Sequence, residues 1–188
     1  MQIDEFKNAI LAKRQNGIVF ISLEDAYGHI CNDWFRNKRY AVITFDDGYA
    51  SLKEILPWLE AENIPVTLFI NGKYLDGKSY RDNSKEQYIT ETKLFGLTST
   101  MIEIGSHGWE HSSDAKNMTE SEFEEYIDKN IQLLSKHPRY ISFHAYTWGH
   151  HTKATDKQLA QMNIIPVLMD GVKNYNDTLY IHREKLSE

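Results

Sequence analysis

Short apolar runs of strand length alternate along the chain with longer segments in which apolar residues recur every three or four positions. The polar segment 73–99 breaks this pattern, and we expect it to cross the surface with at most one short helix. The alternation predicts an α/β fold whose largely parallel sheet is either open or closed into a barrel. The predicted strands are 40–45, 66–70, 101–104, 140–143, 166–169 and 179–182, with 18–22 as a candidate edge strand.

The longer segments carry recognisable helix starts. Thr119 and Ser51 each stand three residues before a glutamate, the spacing of a capping box, and each precedes an apolar stripe. These signals predict helices that run to about Ser135 and Asn63. A third helix is expected over 152–162. No comparable signal gives a role to residues 1–39.

Composition limits the classes of protein to which the chain can belong. Its 188 residues, 41% of them hydrophobic, suit one domain spanning 1–188. Acidic residues outnumber basic ones by 27 to 21, which argues against nucleic acid or an anionic membrane as a partner. The chain has a single cysteine, Cys31, no apolar run typical of a signal peptide, and no stretch of about 20 apolar residues for membrane insertion. We therefore expect a cytoplasmic protein.

Chemically competent residues follow several of the predicted strands. In parallel α/β sheets, ligands gather at the carboxyl ends of the strands. Asp46 and Asp47 follow the run 40–45, and His107 and His111 follow the run 101–104. Two adjacent carboxylates repel each other unless a cation lies between them or one is protonated. One carboxylate and two histidines spaced four residues apart suit a divalent metal, with zinc as the expected ion.

Simpler explanations exist for each of these features alone. Asp-Asp-Gly is a common turn, in which Asp caps backbone donors and Gly adopts a positive φ. A single His-x-x-x-His is weak evidence for a metal site in a chain with eight histidines. Their occurrence at the ends of separate predicted strands makes a shared site the better interpretation.

Two motifs resemble those of polysaccharide deacetylases with NodB-like domains. Thr44-Phe-Asp-Asp-Gly48 resembles the first family motif, and Ser106-His-Gly-Trp-Glu-His111 resembles the second, His-Ser/Thr-x-x-His, with Gly108 where the family usually has Ser or Thr. The resemblance covers about residues 40–182. It implies a NodB-like fold, a distorted or incomplete (β/α) barrel.

The resemblance also implies the division of roles among the four residues. Asp46 would be the general base, and Asp47, His107 and His111 would be the metal ligands. A metal lowers the pKa of bound water to about 7, and a nearby carboxylate can then accept its proton. The resulting hydroxide would attack the acetamide carbonyl.

The third family motif is matched only in part, by Phe143-His-Ala-Tyr-Thr-Trp-Gly149. The arginine that orients the catalytic Asp in many members is absent, which leaves His144 or nothing for that role. Tyr146 and Trp148 are the predicted substrate-binding residues, because an aromatic ring can pack against a sugar face; a position in the core is the alternative.

The acid that protonates the leaving amine comes from a late strand in the family. His182 is the matching candidate, although some branches have an arginine in this region, which would be Arg183. Asp170 is the only trace of the fourth motif. His144 and the pair 150–151 remain alternatives as the acid.

Three functions follow from these residues. The first is a metal-dependent hydrolase that removes N-acetyl groups from an amino sugar of a bacterial surface polysaccharide or its precursor. The second is an inactive module of the same fold that binds a sugar or a partner protein, suggested by the incomplete third to fifth motifs. The third is an amide hydrolase for a small non-sugar substrate, suggested by the lack of an export signal.

Overall fold

A computed structural model describes the chain over residues 2–32, 34, 38–77, 86–171 and 179–186. Six α-helices and eight strands lie in these ranges. The helices are α1 (Ile3–Gln15), α2 (Leu23–Asn32), α3 (Leu56–Ala61), α4 (Glu91–Phe95), α5 (Glu120–Leu134) and α6 (Lys153–Gln161). The strands are β1 (Ile18–Phe20), β2 (Arg39–Ala41), β3 (Ile43–Phe45), β4 (Val66–Ile70), β5 (Ile102–Ser106), β6 (Tyr140–Ala145), β7 (Ile165–Met169) and β8 (Ile181–Arg183).

Strands β3 to β8 form one parallel sheet in chain order. Although β3 and β8 stand at opposite ends of this order, Arg183 of β8 binds Asp46, directly after β3. The sheet therefore curls into a half-barrel, which confirms the predicted α/β class and the NodB-like fold.

The predicted strand 40–45 is in fact two strands, because β2 and β3 belong to different sheets. β2 pairs with β1 in a separate two-stranded parallel sheet, and β3 begins the main sheet. The candidate edge strand 18–22 is therefore present as β1, but it borders β2 alone. A local apolar pattern cannot show this division, since the pattern does not name the pairing partner.

Side chains alternate between the two faces of the main sheet. In β4, Val66, Leu68 and Ile70 pack in the apolar cluster that includes α1 and α3, whereas Phe69 packs with Leu23 of α2 on the other side. Arg183 lies over the ring of Phe69 and reaches across the curl. We call the α2 side the concave face and the side of α1, α3, α5 and α6 the convex face.

A buried glutamate attaches α2 to the concave face. The side chain of Glu103 on β5, only 2% exposed, accepts hydrogen bonds from the backbone N–H groups of Leu23 and Glu24 at 2.9 and 3.3 Å and from the Thr67 hydroxyl at 2.7 Å. A carboxylate at a helix N-terminus satisfies unpaired N–H donors and interacts favourably with the helix dipole. The region 1–39, which had no predicted role, thus covers the concave face with α2, whereas its α1 packs on the convex face.

The predicted helices are present where the predicted capping hydrogen bonds form. Thr119 and Glu122 make the predicted capping box, with the Thr119 backbone N–H 2.8 Å from the glutamate, and α5 follows. Helix α6 also matches its prediction. The Ser51 capping box is absent, because the Ser51 hydroxyl donates to Glu86 instead, and a 3-10 helix over Ala50–Glu54 precedes the short α3.

Only part of the polar segment 73–99 is described, since residues 78–85 lie outside the described ranges. It contains the one short helix expected, α4, together with the end of a 3-10 turn over Gly72–Tyr74. In the described part of the chain, no helix combines the length and apolar character needed to cross a bilayer.

We predict that Glu103→Ala lowers the free energy of unfolding by about 2 to 3 kcal/mol, because it leaves the buried N–H groups at the start of α2 without an acceptor. Urea denaturation followed by circular dichroism measures this difference. Glu125→Ala on the exposed side of α5 is the control and should change stability by less than about 0.5 kcal/mol. Equal stability of the two variants would show that Glu103 does not hold α2.

Candidate functional site

The three predicted metal ligands lie together at the carboxyl edge of the sheet. Asp47 Oδ1 is 3.3 Å from His107 Nε2 and 3.2 Å from His111 Nε2. One ligand atom from each residue lies within 4.8 Å of the others. Asp47 follows β3 and both histidines follow β5, so two strands that are not neighbours supply the set.

The residues fit a divalent cation. Asp47 Oδ1 is buried, and no described group forms a hydrogen bond with it. A buried carboxylate oxygen that faces two imidazole nitrogens needs a positive partner. Burial raises the pKa of Asp47. The opposite effect of His107, Tyr49 and His111 is larger, so the pKa falls to about 2. The carboxylate is therefore ionised at neutral pH.

The orientation of His107 is fixed by the backbone. Its Nδ1 lies 2.7 Å from the Ala145 carbonyl oxygen, which can only accept, so Nδ1 carries the hydrogen. Nε2 faces Asp47, and in the neutral ring this nitrogen has the lone pair that a metal would need. This arrangement is common for metal-binding histidines, whose second nitrogen donates to a carbonyl or carboxylate.

Two buried asparagines that sequence reasoning missed support the ligand loop. The Asn71 side chain donates to the carbonyl oxygens of His107 and Gly108 at 2.6 and 3.2 Å. The Asn130 side chain donates to Ile70 O at 2.9 Å and accepts from the Gly72 backbone at 2.8 Å. The only sequence signal for Asn71 was its position directly after a buried strand. Nothing in the pattern of α5 distinguished Asn130 from its other polar residues.

Asp46 is held by an arginine that the third motif does not supply. Arg183 donates from Nη1 to Asp46 Oδ1 at 2.6 Å and from Nη2 to Oδ2 at 2.7 Å, and Nη1 also lies 3.0 Å from the Thr44 hydroxyl. A bidentate arginine fixes both the position and the plane of a carboxylate. The orienting role that we expected to fall to His144, or to nothing, is thus filled from β8.

His144 instead belongs to a buried network on the convex face. The Ser106 hydroxyl accepts from Asn130 Nδ2 at 2.9 Å and from the Gly108 backbone at 3.2 Å, so its own hydrogen is available for His144 Nδ1 at 3.1 Å. Burial, followed by the charges of His107 and Arg183, lowers the pKa of His144 to about 3. The ring is therefore neutral at physiological pH.

The two predicted substrate-binding aromatics occupy different environments. Tyr146 is 3% exposed, packs against Phe123 and donates its hydroxyl to Asp156 at 2.8 Å, so its position in the core does not support contact with a substrate. Trp148 is 65% exposed, and its ring centre lies 5.0 Å from that of His111. Its φ of 58° is unusual for a bulky residue and is typical of strain kept at functional sites.

His182 does not face the same side of the sheet as Asp46. It pairs in register with Leu168, which packs in the convex apolar cluster, and its Nδ1 lies 2.8 Å from Asp170 Oδ2. Arg183, the next residue, faces the concave side. Because successive side chains of a strand point to opposite faces, the position of His182 does not support its predicted role as the acid.

The structure explains why the second motif has a glycine at position 108. Gly108 has a φ of +78°, and a Cβ atom there would overlap the Tyr126 hydroxyl, which donates to Glu110 O at 2.5 Å. Tyr126 thus occupies the space that a Ser or Thr side chain would need. The departure from the family pattern is compensated by a tyrosine from α5.

We predict that Gly108→Ser, which restores the usual family residue, lowers zinc affinity at least about tenfold, because the strained and crowded loop displaces His107 and His111. Isothermal titration calorimetry measures the affinity. Gly28→Ser, in α2, is the control, because a Cβ atom there meets nothing within 4 Å. Unchanged zinc affinity in Gly108→Ser would contradict the steric explanation.

The chain is similar in structure to several solved proteins, although not to any curated sequence. No curated protein matches the sequence at a significant level. IcaB from Ammonifex degensii is similar in structure, with a TM-score of 0.84 and 21% identity over 100% of this chain and 84% of that one. The BpsB deacetylase domain from Bordetella bronchiseptica has a TM-score of 0.79 and 20% identity, covering 95% and 83%. The Streptococcus pyogenes deacetylase PplD, solved with acetate, has a TM-score of 0.83 and 19% identity, covering 98% and 81%.

Sequence identities of about 20% to solved structures establish only a shared fold. The family of the chain follows from a match to a sequence-family model. The family model for polysaccharide deacetylases matches residues 35–167, most of the chain, including both motifs and the three clustered candidate ligands. The chain therefore belongs to the polysaccharide deacetylase family.

Proposed function

We propose that the protein is a metal-dependent hydrolase that removes N-acetyl groups from an amino sugar of a bacterial surface polysaccharide or its precursor. The observation that carries this proposal is the position of Asp46, which Arg183 holds beside the Asp47, His107 and His111 ligand set. A positioned base next to a divalent cation site is what hydrolysis of an unactivated amide requires.

Asp47, His107 and His111 would hold the metal. Two imidazole nitrogens and one carboxylate oxygen suit zinc and leave room for water and substrate. When bound, the metal would polarise the acetyl carbonyl and make the attacking water more acidic. The remaining chemistry falls to groups of the chain itself.

Asp46 would accept the proton of the attacking water. Arg183 keeps the carboxylate in one orientation, so little reorganisation precedes the proton transfer. For this role Asp46 must not coordinate the metal, and its hydrogen bonds to Arg183 favour that arrangement. Trp148, exposed beside His111, would pack against a sugar face and align the acetamide with the base.

The similar structures support the acetyl group as the one removed. BpsB and PplD are both described as deacetylases, and PplD was solved with acetate. A small non-sugar amide fits the same chemistry but gives the exposed Trp148 no function. A binding module without turnover would retain the metal and release no acetate.

We predict that Asp47→Ala, His107→Ala and His111→Ala each lose stoichiometric zinc binding with the fold retained, because ligands at a strand rim add little to the core. Elemental analysis after dialysis measures zinc, and circular dichroism checks the fold. His150→Ala, a nearby histidine outside the set, is the matched control and should keep its zinc. Full zinc occupancy in all three ligand variants would eliminate the site.

We predict that Asp46→Asn keeps its zinc and loses about 10²- to 10⁴-fold of its acetate release, because an amide cannot accept the proton of water. Acetate is measured with oligomers of N-acetylglucosamine as the probe, alongside the wild-type protein and its zinc content. Loss of zinc in this variant would make Asp46 a ligand. Zinc without acetate release in the wild-type protein would favour the binding module.

A further inference from the structure

Hydrolysis of an amide needs two proton transfers, one from the attacking water and one to the leaving nitrogen. The first falls to Asp46 in the proposed function, and the second has no carrier yet. Four histidines were candidates from the sequence: His144, His150, His151 and His182. In the structure each of them has a hydrogen-bond partner other than Asp46, and two of them lie on the convex face.

Two of the four belong to the convex face. His182 pairs with Leu168 in the cluster beneath α5 and α6, and binds Asp170. His144 is buried beside Ser106 on the same face, and its Nδ1 accepts that hydroxyl. Both rings therefore lie across the sheet from Asp46, which is on the concave face.

The other two lie in the loop after β6. His151 Nδ1 is 3.1 Å from Asp156 Oδ2, in a cluster where Tyr146 and Tyr180 donate to the same carboxylate. His150 Nδ1 is 3.1 Å from the Ser113 carbonyl oxygen, a bond that ties two loops together. Both rings thus have structural partners.

Asp46 faces the other way. It shares the concave face with Thr44 and Arg183, and its side chain is 28% exposed, so substrate can reach it. Each carboxylate oxygen accepts one bond from Arg183 and has a second lone pair, so either can hold a proton while the guanidinium stays in place.

We propose that Asp46 carries the proton in both directions, as base and then as acid. As the water oxygen bonds to the acetyl carbon, Asp46 takes one water proton. It then returns that proton to the sugar nitrogen as the carbon–nitrogen bond breaks and its electron pair moves to nitrogen. The products are the free amine and acetic acid, and Asp46 is again a carboxylate. Arg183 acts as a positioning residue that keeps the carboxyl group aligned through both transfers.

This inference rests on the proposed function. Two probes with different leaving groups test the inference separately from that function. The amide probe is an N-acetylglucosamine oligomer, whose nitrogen must be protonated to leave. The ester probe is para-nitrophenyl acetate, whose nitrophenolate leaves without a proton. Loss of an acid therefore lowers hydrolysis of the amide far more than hydrolysis of the ester, whereas loss of a base or of the fold lowers both.

We expect Asp46→Asn to lower ester hydrolysis by about 10²-fold or more and amide hydrolysis at least about tenfold further. His182→Ala, His144→Gln, His150→Ala, His151→Ala and Tyr49→Phe should each keep the wild-type ratio of the two rates within about twofold, whatever their absolute rates. Tyr49 is included because its side chain lowers the pKa of Asp47 and therefore lies near the site. Zinc content and thermal unfolding are measured for every variant.

Two results would overturn the inference. One is an equal loss of both activities in Asp46→Asn, which would limit Asp46 to the role of base. The other is a histidine or tyrosine variant that loses the amide activity and keeps the ester activity, which would identify a separate acid. A wild-type protein that binds zinc and hydrolyses neither probe would instead refute the proposed function.

Discussion

The ion pair between Arg183 and Asp46 connects the two ends of the six-stranded sheet. The residues are 137 positions apart, and the sheet must curl before the guanidinium can reach the carboxylate. The pair therefore joins a global feature, the half-barrel, to a local one, the orientation of the candidate base. Two short charge-assisted bonds between partly buried groups make this contact more specific than a surface salt bridge.

The two faces of the sheet divide the chemically competent residues. Asp46 and Arg183 share the concave face that α2 covers, while His144 and His182 face the convex helices. The division follows from the alternation of side chains along a strand, so it applies to neighbours such as His182 and Arg183. Sequence proximity to a motif is thus a poor guide to participation in the site.

Departures from the family pattern are matched by substitutes elsewhere in the chain. The arginine missing from the third motif has a counterpart in Arg183, which approaches the same carboxylate from β8. The hydroxyl residue missing at Gly108 is replaced in space by Tyr126. Degraded motifs in one segment therefore do not imply a degraded site, because a tertiary contact can be supplied from any strand that reaches it.

The sequence by itself determined the β/α alternation, the capped helix α5 and the three residues that cluster as candidate metal ligands. These features depend on local periodicity, capping chemistry and the rule that ligands gather at strand ends. Only the tertiary structure decided that 40–45 belongs to two sheets, that Glu103 anchors α2, and that Arg183 rather than His144 orients Asp46. Each of these depends on which distant residues meet and on which face they point to. Strand pairing and curl set those contacts, and a linear pattern does not contain them.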